Sequence, residues 1–173
     1  MNRKLKPAVA ASMLAAMTAI ATMIIRIPTP GTNGYVNIGD AVVLLSAWIL
    51  GNPYGALAAS IGSALADLLS GYPVYAPGTA VIKFLMAFTA AAIISAASKK
   101  KSPGVPARLV SGIVAELIMV SGYFMYEAVI LGYGIAASAS VISNAVQGIV
   151  CVVLGNLLAI PLIRTGYIGK MKS

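Results

Sequence analysis

Five ionisable residues lie in or at the edges of the apolar stretches of this chain, and they are its first candidates for chemistry. They are Asp40, Asp67, Lys83, Glu116 and Glu127. A charged group is costly in an apolar environment, so such side chains face a cavity, pair with one another or take up a proton. They can therefore hold a polar ligand, relay protons or form structural ion pairs, depending on which elements bring them together.

Several kinds of site are excluded by the residue types that the chain lacks. It has no histidine and one cysteine, Cys151. Neither a zinc site of His and Cys ligands nor a histidine-based catalytic triad can be built from this composition. One cysteine also cannot form a disulfide within the chain. We therefore expect neither a metal centre nor a cofactor.

The composition predicts a membrane protein. Of the 173 residues, 60% are hydrophobic and 9% are charged, and the mean hydropathy is +0.93, which is too apolar for a soluble domain of this size. A membrane-spanning helix needs about 20 apolar residues. We predict an all-α protein in which residues 1–173 form a single integral membrane domain with six transmembrane helices, at about 8–25, 38–51, 54–70, 77–98, 109–131 and 135–163.

The net charge of +8 has a topological explanation. Six spans would place both termini and the second and fourth connections on one side of the membrane. Ten of the twelve basic residues fall on that side: Arg3, Lys4, Lys6, Lys99, Lys100, Lys101, Arg108, Arg164, Lys170 and Lys172. Basic loops stay in the cytoplasm, so we predict cytoplasmic N and C termini. With the charge explained in this way, we expect no nucleic-acid partner.

Asp67 and Lys83 are predicted to form a structural ion pair. Asp67 lies four residues before Gly71, and Lys83 lies six residues after Pro77. A rise of 1.5 Å per residue then puts them ~6 and ~9 Å from the same end of two adjacent antiparallel spans. The alternative is that Lys83 extends to the membrane interface, as a lysine within two turns of it can.

Polar and aromatic residues collect on the outer side of the predicted bundle. Tyrosines, amides and a lysine suit a flat, polar heterocycle that arrives from outside, so we predict a ligand-binding cup open to that side. Interhelical hydrogen bonding is the alternative use of Asn144 and Gln147. The predicted substrate-binding residues are Asn37, Asp40, Tyr75, Lys83, Tyr123, Glu127, Asn144 and Gln147.

Small residues recur at intervals of four in the first predicted span, at Ala11, Ala15 and Ala19. Such lines let helix backbones approach closely in lipid. This line can pack inside the bundle or dock a partner protein, and the sequence pattern alone leaves both readings open.

Residues 36–87 resemble the substrate-binding S components of energy-coupling factor (ECF) vitamin transporters. The shared features are NIGDA at 37–41, GNPYGAL at 51–57, GSALADL at 62–68 and GYPVYAPGTAVIK at 71–83. The most similar group is the riboflavin type, which also includes binders of hydroxymethylpyrimidine or pyridoxine. The six-span layout extends the resemblance over nearly the whole chain.

The resemblance implies a non-enzymatic transport subunit in the cytoplasmic membrane of a bacterium or archaeon. An S component binds a vitamin from outside and docks on a membrane scaffold subunit that carries two cytoplasmic ATPases. The chain has no Walker-type phosphate loop, so ATP hydrolysis would come from those partners. Ala11, Ala15 and Ala19 match the family's docking motif for the scaffold. Pyridoxine, a hydroxymethylpyrimidine and riboflavin all suit the predicted pocket, and the residue types favour the smaller rings.

Two other functions are weighed against this one. A stand-alone proton-coupled secondary transporter of a small polar metabolite could use Glu116 or Glu127, although the sequence shows no convincing internal repeat of the kind such carriers often have. A membrane enzyme would have to draw its catalytic groups from four acidic residues at different depths and on different faces, so we expect no catalytic residues.

Overall fold

The computed structural model describes residues 5–97 and 104–164 of the chain. Over these residues the predicted all-helical fold is confirmed, except that residues 26–37, which the sequence does not predict to contain strands, form one short β-hairpin. The six helices are α1 Leu5–Ile24, α2 Gly39–Leu50, α3 Tyr54–Leu69, α4 Ala76–Ala97, α5 Val105–Met125 and α6 Ser138–Arg164. A π-helical turn, Tyr126–Ile130, and a 3-10 turn, Gly134–Ala137, connect α5 to α6.

Four of the helices are long and apolar enough to cross a membrane. They are α1, α4, α5 with its π-helical turn, and α6 with its 3-10 turn. The 12 residues of α2 and 16 residues of α3 make shorter apolar helices. At 1.5 Å per residue α2 is ~18 Å long, against a hydrocarbon layer of ~30 Å. The six-span count therefore remains a prediction.

The short helix α2 lies at the centre of the bundle. Residues 39–49 are all buried, and the helix packs against α1, α3, α4 and α6. A helix that is apolar on every side is expected to be buried on every side. Because other helices enclose it, α2 does not have to match the thickness of a bilayer.

Helix α1 packs closely on α3 through small residues. The backbone of Ala15 lies against Gly62 so closely that a Cβ on Gly62 would collide with it. Ala19, one turn further along α1, is buried, and Ala11 is half-buried. Packing inside the bundle thus accounts for Ala15, and its use for docking remains a prediction. The small residues on the exposed face of α1, also four apart, are Ala8, Ser12 and Ala16.

The β-hairpin marks one end of the bundle. Strands β1, Arg26–Pro28, and β2, Tyr35–Asn37, pair antiparallel with Ile27 opposite Val36. Arg26 donates a hydrogen bond to the Ser70 carbonyl in the α3–α4 turn, at 3.4 Å. Asn33 donates to the Tyr133 hydroxyl in the α5–α6 connection, at 3.0 Å. We call this the hairpin end.

The charges that predict the orientation of the chain lie largely outside the described residues. These are Arg3, Lys4, Lys99, Lys100, Lys101, Lys170 and Lys172. The cytoplasmic placement of both termini therefore remains a prediction from the sequence.

Candidate functional site

A polar cavity lies at the hairpin end, between the hairpin and α1, α3, α4, α5 and α6. Its walls bring together seven of the eight predicted binding residues, and Asp40 lies directly behind Lys83. The lining residues are Thr22, Thr29, Gly34, Tyr35, Asn37, Ser63, Asp67, Tyr75, Thr79, Lys83, Tyr123, Glu127, Asn144 and Gln147.

Lys83 forms its ion pair with Asp40. The Lys83 Nζ donates to Asp40 Oδ1 at 2.5 Å, and the two side chains are 3% and 1% exposed. The predicted Asp67–Lys83 ion pair is wrong. The prediction compared the depths of residues on α3 and α4 only. Helix α2 begins at Gly39 and brings Asp40 to the level of Lys83 from the centre of the bundle.

Gln147 on α6 extends this contact into a network. Its Nε2 donates to Asp40 Oδ2 at 2.5 Å, and its Oε1 accepts the Asn37 backbone N–H at 2.5 Å. The Asn37 side chain accepts the Gly39 N–H at 2.8 Å, where α2 begins. The hydrogen bonds of Gln147 and Asn37 thus hold Asp40 in place and attach the end of the hairpin to α6.

Asp67 is bound by the hairpin instead of by Lys83. The Tyr35 hydroxyl donates to Asp67 Oδ1 at 2.6 Å, and the Tyr35 ring packs on Tyr72 with centroids 4.7 Å apart. Burial and the neighbouring Asp67 carboxylate raise the pKa of the Tyr35 phenol, so it stays protonated and donates. Asp67 Oδ2 has no hydrogen-bond partner among the described residues.

Glu127 lies in the π-helical turn after α5 and joins three connections. Its Oε1 accepts from the Tyr75 hydroxyl at 3.1 Å, and its Oε2 accepts from Ser140 at the start of α6. A Cβ added to Gly34 of the hairpin would lie 3.0 Å from Glu127 Oε1. Burial, followed by the Glu127 charge, raises the pKa of Tyr75, which therefore remains a donor.

Tyr123 on α5 forms the wall opposite Lys83. The Lys83 Nζ lies 5.2 Å from the centre of the Tyr123 ring, which is a cation–π distance. The Tyr123 hydroxyl is hydrogen-bonded to Thr79 at 2.9 Å. An aromatic face beside an ammonium group can hold a ring that carries an acceptor at its edge.

Few polar groups at the cavity keep spare hydrogen-bonding capacity. Lys83 has three N–H donors, and Asp40 takes one. Asn144 lines the cavity without a hydrogen bond to another described residue. Ser63 Oγ and Asp67 Oδ2 are buried without partners among those residues. Sequence reasoning missed Ser63 and Thr79, because they lie within runs of small residues that are typical of helix packing.

The cavity is small. Its volume is about 20 Å³, which is about enough for one water molecule, whereas small-molecule sites occupy about 300–1,000 Å³. The hairpin narrows the predicted cup through the Tyr35–Asp67 and Asn37–Gln147 hydrogen bonds and the contacts of Gly34. On the other side of Gly34 lies a surface hollow of about 560 Å³, bordered by Asn33 and Tyr72.

Glu116 lies outside the cavity lining. It is buried, packs against Gly148 of α6, and neither of its carboxylate oxygens has a hydrogen-bond partner among the described residues. It is near enough to Asp40 and Lys83 to interact with both electrostatically. The same part of the chain contains no group of three side chains that could hold a metal ion.

A second polar cluster, which the sequence did not indicate, lies at the opposite end of the bundle. Arg108 is buried, and its Nε donates to Asn156 at 3.1 Å. Trp48 at the end of α2 donates to Ser111 on α5 at 3.0 Å. These contacts join α2, α5 and α6 away from the cavity.

Comparisons with known proteins give a family, a relative and a solved structure with the same fold. Residues 2–167 match the family described as the S component of ECF-type riboflavin transporters. An uncharacterised protein in the gap 3′ region of Pyrococcus woesei is 33% identical over 153 residues, which is 88% of this chain and 94% of that protein. The solved structure of the S component of a bacterial ECF transporter has the same fold, with a TM-score of 0.67, 22% identity, and coverage of 94% of this chain and 98% of that one.

Proposed function

The chain belongs to the family of S components of ECF-type riboflavin transporters, and from this premise we propose that its hairpin-end cavity binds a water-soluble vitamin or vitamin precursor. Members of this family are membrane-embedded, substrate-binding subunits of transporters and are not enzymes. We also propose a substrate class, the residues that bind it and the partner proteins.

The observation that carries the proposal is the Lys83–Asp40 pair at the edge of a polar cavity inside an apolar bundle. Two packed apolar side chains would stabilise the bundle as well as a buried ion pair does. Stability alone therefore does not explain why both charges are present, which supports a role in binding. Lys83 has spare donors for a ring oxygen or an anionic group. Asn144 offers both donors and acceptors for a ring edge, and the Tyr123 ring supplies an aromatic face.

The ligand we propose is a flat, polar heterocycle. Pyridoxine, a hydroxymethylpyrimidine and riboflavin all combine an aromatic ring with acceptors at its edge. The family description favours riboflavin, whereas the pocket residue types favour the smaller rings. Any of them is larger than the cavity of about 20 Å³, so binding would require the hairpin to move away from Asp67 and Gln147.

The membrane topology is proposed as six helices with cytoplasmic termini and a cavity facing outward. The four long apolar helices support membrane crossing, and the enclosure of α2 explains how a short helix fits within the bundle. Ten of the twelve basic residues would lie on the side opposite the cavity in this arrangement. The proposed location is the cytoplasmic membrane of a bacterium or archaeon.

The proposed partners are an ECF scaffold subunit and two cytoplasmic ATPases. Transport against a gradient needs an energy source, and the chain has no phosphate-binding loop of the Walker type. The small residues of α1 supply a surface that another helix can approach closely. Ala11 in the half-buried line and Ser12 in the exposed line are the candidates for that contact.

Mass spectrometry of small molecules that co-purify with the detergent-solubilised protein tests the substrate. We expect one heterocyclic vitamin or precursor at near-stoichiometric amount. Calorimetric titration with pyridoxine, hydroxymethylpyrimidine and riboflavin should then identify one compound that binds in the nanomolar to micromolar range, about −8 to −12 kcal/mol. Absence of a co-purifying heterocycle together with no binding of all three would overturn the proposal.

A stand-alone proton-coupled carrier is the second candidate function. The observation that favours it is that Glu116 is buried without a hydrogen-bond partner among the described residues. A buried carboxylate without hydrogen bonds can exchange a proton when its surroundings change. Uptake by cells that lack all ECF scaffold and ATPase subunits distinguishes the two functions. Uptake that persists there and is lost in Glu116→Gln would support the carrier, and uptake that requires those subunits would support the S component.

A further inference from the structure

We propose that Ser63 and Asp67 on α3 form a subsite that binds a hydroxyl group of the ligand. The inference rests on the proposed function, because it assigns one wall of the same cavity. Ser63 and Asp67 are one helical turn apart and therefore share a face of α3. Both line the cavity, and they are 2% and 4% exposed.

The three carboxylates around the cavity differ in how many of their oxygens already accept a hydrogen bond. Asp40 accepts from Lys83 and Gln147, and Glu127 accepts from Tyr75 and Ser140. Asp67 accepts from Tyr35 through Oδ1, and the Thr79 hydroxyl is close enough to interact with the same carboxylate without forming a hydrogen bond to Oδ2. Its Oδ2 is thus the one oxygen of these three carboxylates without a hydrogen bond among the described residues.

Ser63 presents a second unused group to the same space. Its Oγ is buried and has no hydrogen-bond partner among the described residues. Buried polar atoms are normally hydrogen-bonded, and each exception calls for a partner such as a ligand or a water. Two exceptions one turn apart, both in the wall of a cavity, indicate one shared partner.

The chemistry of the two groups selects that partner. An ionised Asp67 only accepts hydrogen bonds, whereas the Ser63 hydroxyl can donate and accept. An alcohol satisfies both, because its O–H donates to Asp67 Oδ2 while its oxygen accepts from Ser63. A carbonyl, carboxylate or phosphate cannot donate to Asp67, and its charge or lone pairs would be repelled.

The position of the subsite also orients the ligand. Lys83 supplies donors from α4 to a ring oxygen or an anionic edge. From α3, Asp67 supplies an acceptor and Ser63 a donor to an alcohol. The Thr79 hydroxyl interacts with the Asp67 carboxylate and is bonded to Tyr123, so it connects this subsite to the aromatic wall. The cavity should therefore prefer heterocycles that carry a free alcohol over analogues in which that alcohol is absent or phosphorylated.

Two ligand pairs test the proposal on the full-length protein in detergent: riboflavin with lumiflavin, and pyridoxine with 4-deoxypyridoxine. In each pair the second compound lacks hydroxyl groups or one hydroxyl group of the first. We expect the wild-type protein to bind the hydroxylated member of one pair at least about tenfold more tightly. Ser63→Ala should remove most of this preference by weakening the hydroxylated ligand while leaving the analogue within about twofold. Asp67→Asn should also reduce the preference, on top of a loss shared by both ligands, because Asp67 anchors Tyr35 of the hairpin.

Ser60→Ala is the matched control, since it deletes a serine hydroxyl of the same helix that bonds the Ala80 carbonyl and does not line the cavity. It should leave the preference intact. Ser63→Ala removes a single atom and is the variant safest for folding, and thermal unfolding verifies this for each protein.

The outcomes separate this inference from the proposed function. If the wild-type protein binds a hydroxylated ligand and both variants keep its preference, the subsite proposal fails while the proposed function stands, and a trapped water satisfies the two groups. The same holds if both members of a pair weaken equally in the variants. If the wild-type protein binds none of the four compounds, the subsite proposal fails, and the proposed function fails with it only if hydroxymethylpyrimidine also does not bind and no heterocycle co-purifies.

Discussion

Lys83 and Asp40 tie α4 to the first turn of α2, through a contact of 2.5 Å between Nζ and Oδ1. Gln147 donates to the other Asp40 oxygen from α6, also at 2.5 Å, so one carboxylate joins three helices beside the cavity. Each charged side chain makes the burial of the other tolerable. The ammonium keeps two further donors, so the pair that joins the helices can also hold a ligand.

Removing one member of this pair should destabilise the protein more than removing both. Asp40→Asn or Lys83→Met leaves a buried charge without its partner, which costs about 3–5 kcal/mol. The double variant has two neutral side chains and should recover part of the loss. Thermal unfolding of the four proteins in detergent without ligand measures this, and strictly additive losses would show that the two side chains are not coupled.

The hairpin should slow the release of bound ligand, because its Tyr35 side chain is hydrogen-bonded to Asp67. The Tyr35 hydroxyl bonds Asp67 at 2.6 Å, and a hydrogen bond to a charged group contributes about 1.5–3 kcal/mol. Tyr35→Phe should therefore speed dissociation of bound ligand at least about tenfold, as measured by stopped-flow fluorescence. Tyr133→Phe, which removes the hydroxyl bonded to Asn33 at the exposed tip of the hairpin, should have a smaller effect. Equal acceleration in the two variants would contradict a specific role for Asp67.

The helices were predictable from the sequence because glycine and proline turns bound the apolar segments. The turn at Gly51–Pro53, for example, ends α2 where the apolar run stops. The centrality of α2 was not predictable in this way. Every apolar segment satisfies the same hydropathy pattern, and only the packing of small residues, such as Gly62 against Ala15, determines which helices are neighbours.

The candidate site was predictable as a set of residues and not as a set of contacts. The spacing of Asn144 and Gln147 puts both on one face of α6, and both line the cavity. Periodicity cannot show that Gln147 is already bonded at both ends while Asn144 has no such bonds. The choice of Asp40 over Asp67 as the partner of Lys83 likewise depends on where α2 begins in three dimensions.

Bulky substitutions on α1 should separate packing from docking. Ala15 contacts Gly62 of α3, so Ala15→Trp should overpack the α1–α3 contact and impair both folding and ligand binding. Ser12 is exposed, so Ser12→Trp should leave ligand binding intact and abolish uptake by cells that contain the scaffold and ATPases. Uptake assays and ligand titration of both variants measure this. Normal uptake with Ser12→Trp would show that this face does not dock the scaffold.

Asn144 and Gln147 should respond differently to the same substitution, although they lie one turn apart on α6. Asn144→Ala removes a cavity group without a hydrogen bond to another described residue, so ligand affinity should fall at least about tenfold, or 1.4 kcal/mol, with little change in thermal stability. Gln147→Ala removes the partner of Asp40 Oδ2 and of the Asn37 N–H. Leaving such buried groups unsatisfied costs about 1–3 kcal/mol each, so this variant should unfold at a lower temperature even without ligand. Titration and thermal unfolding of both variants measure the difference. If Asn144→Ala loses stability and keeps its affinity, Asn144 belongs to the packing of α6 and not to the ligand site.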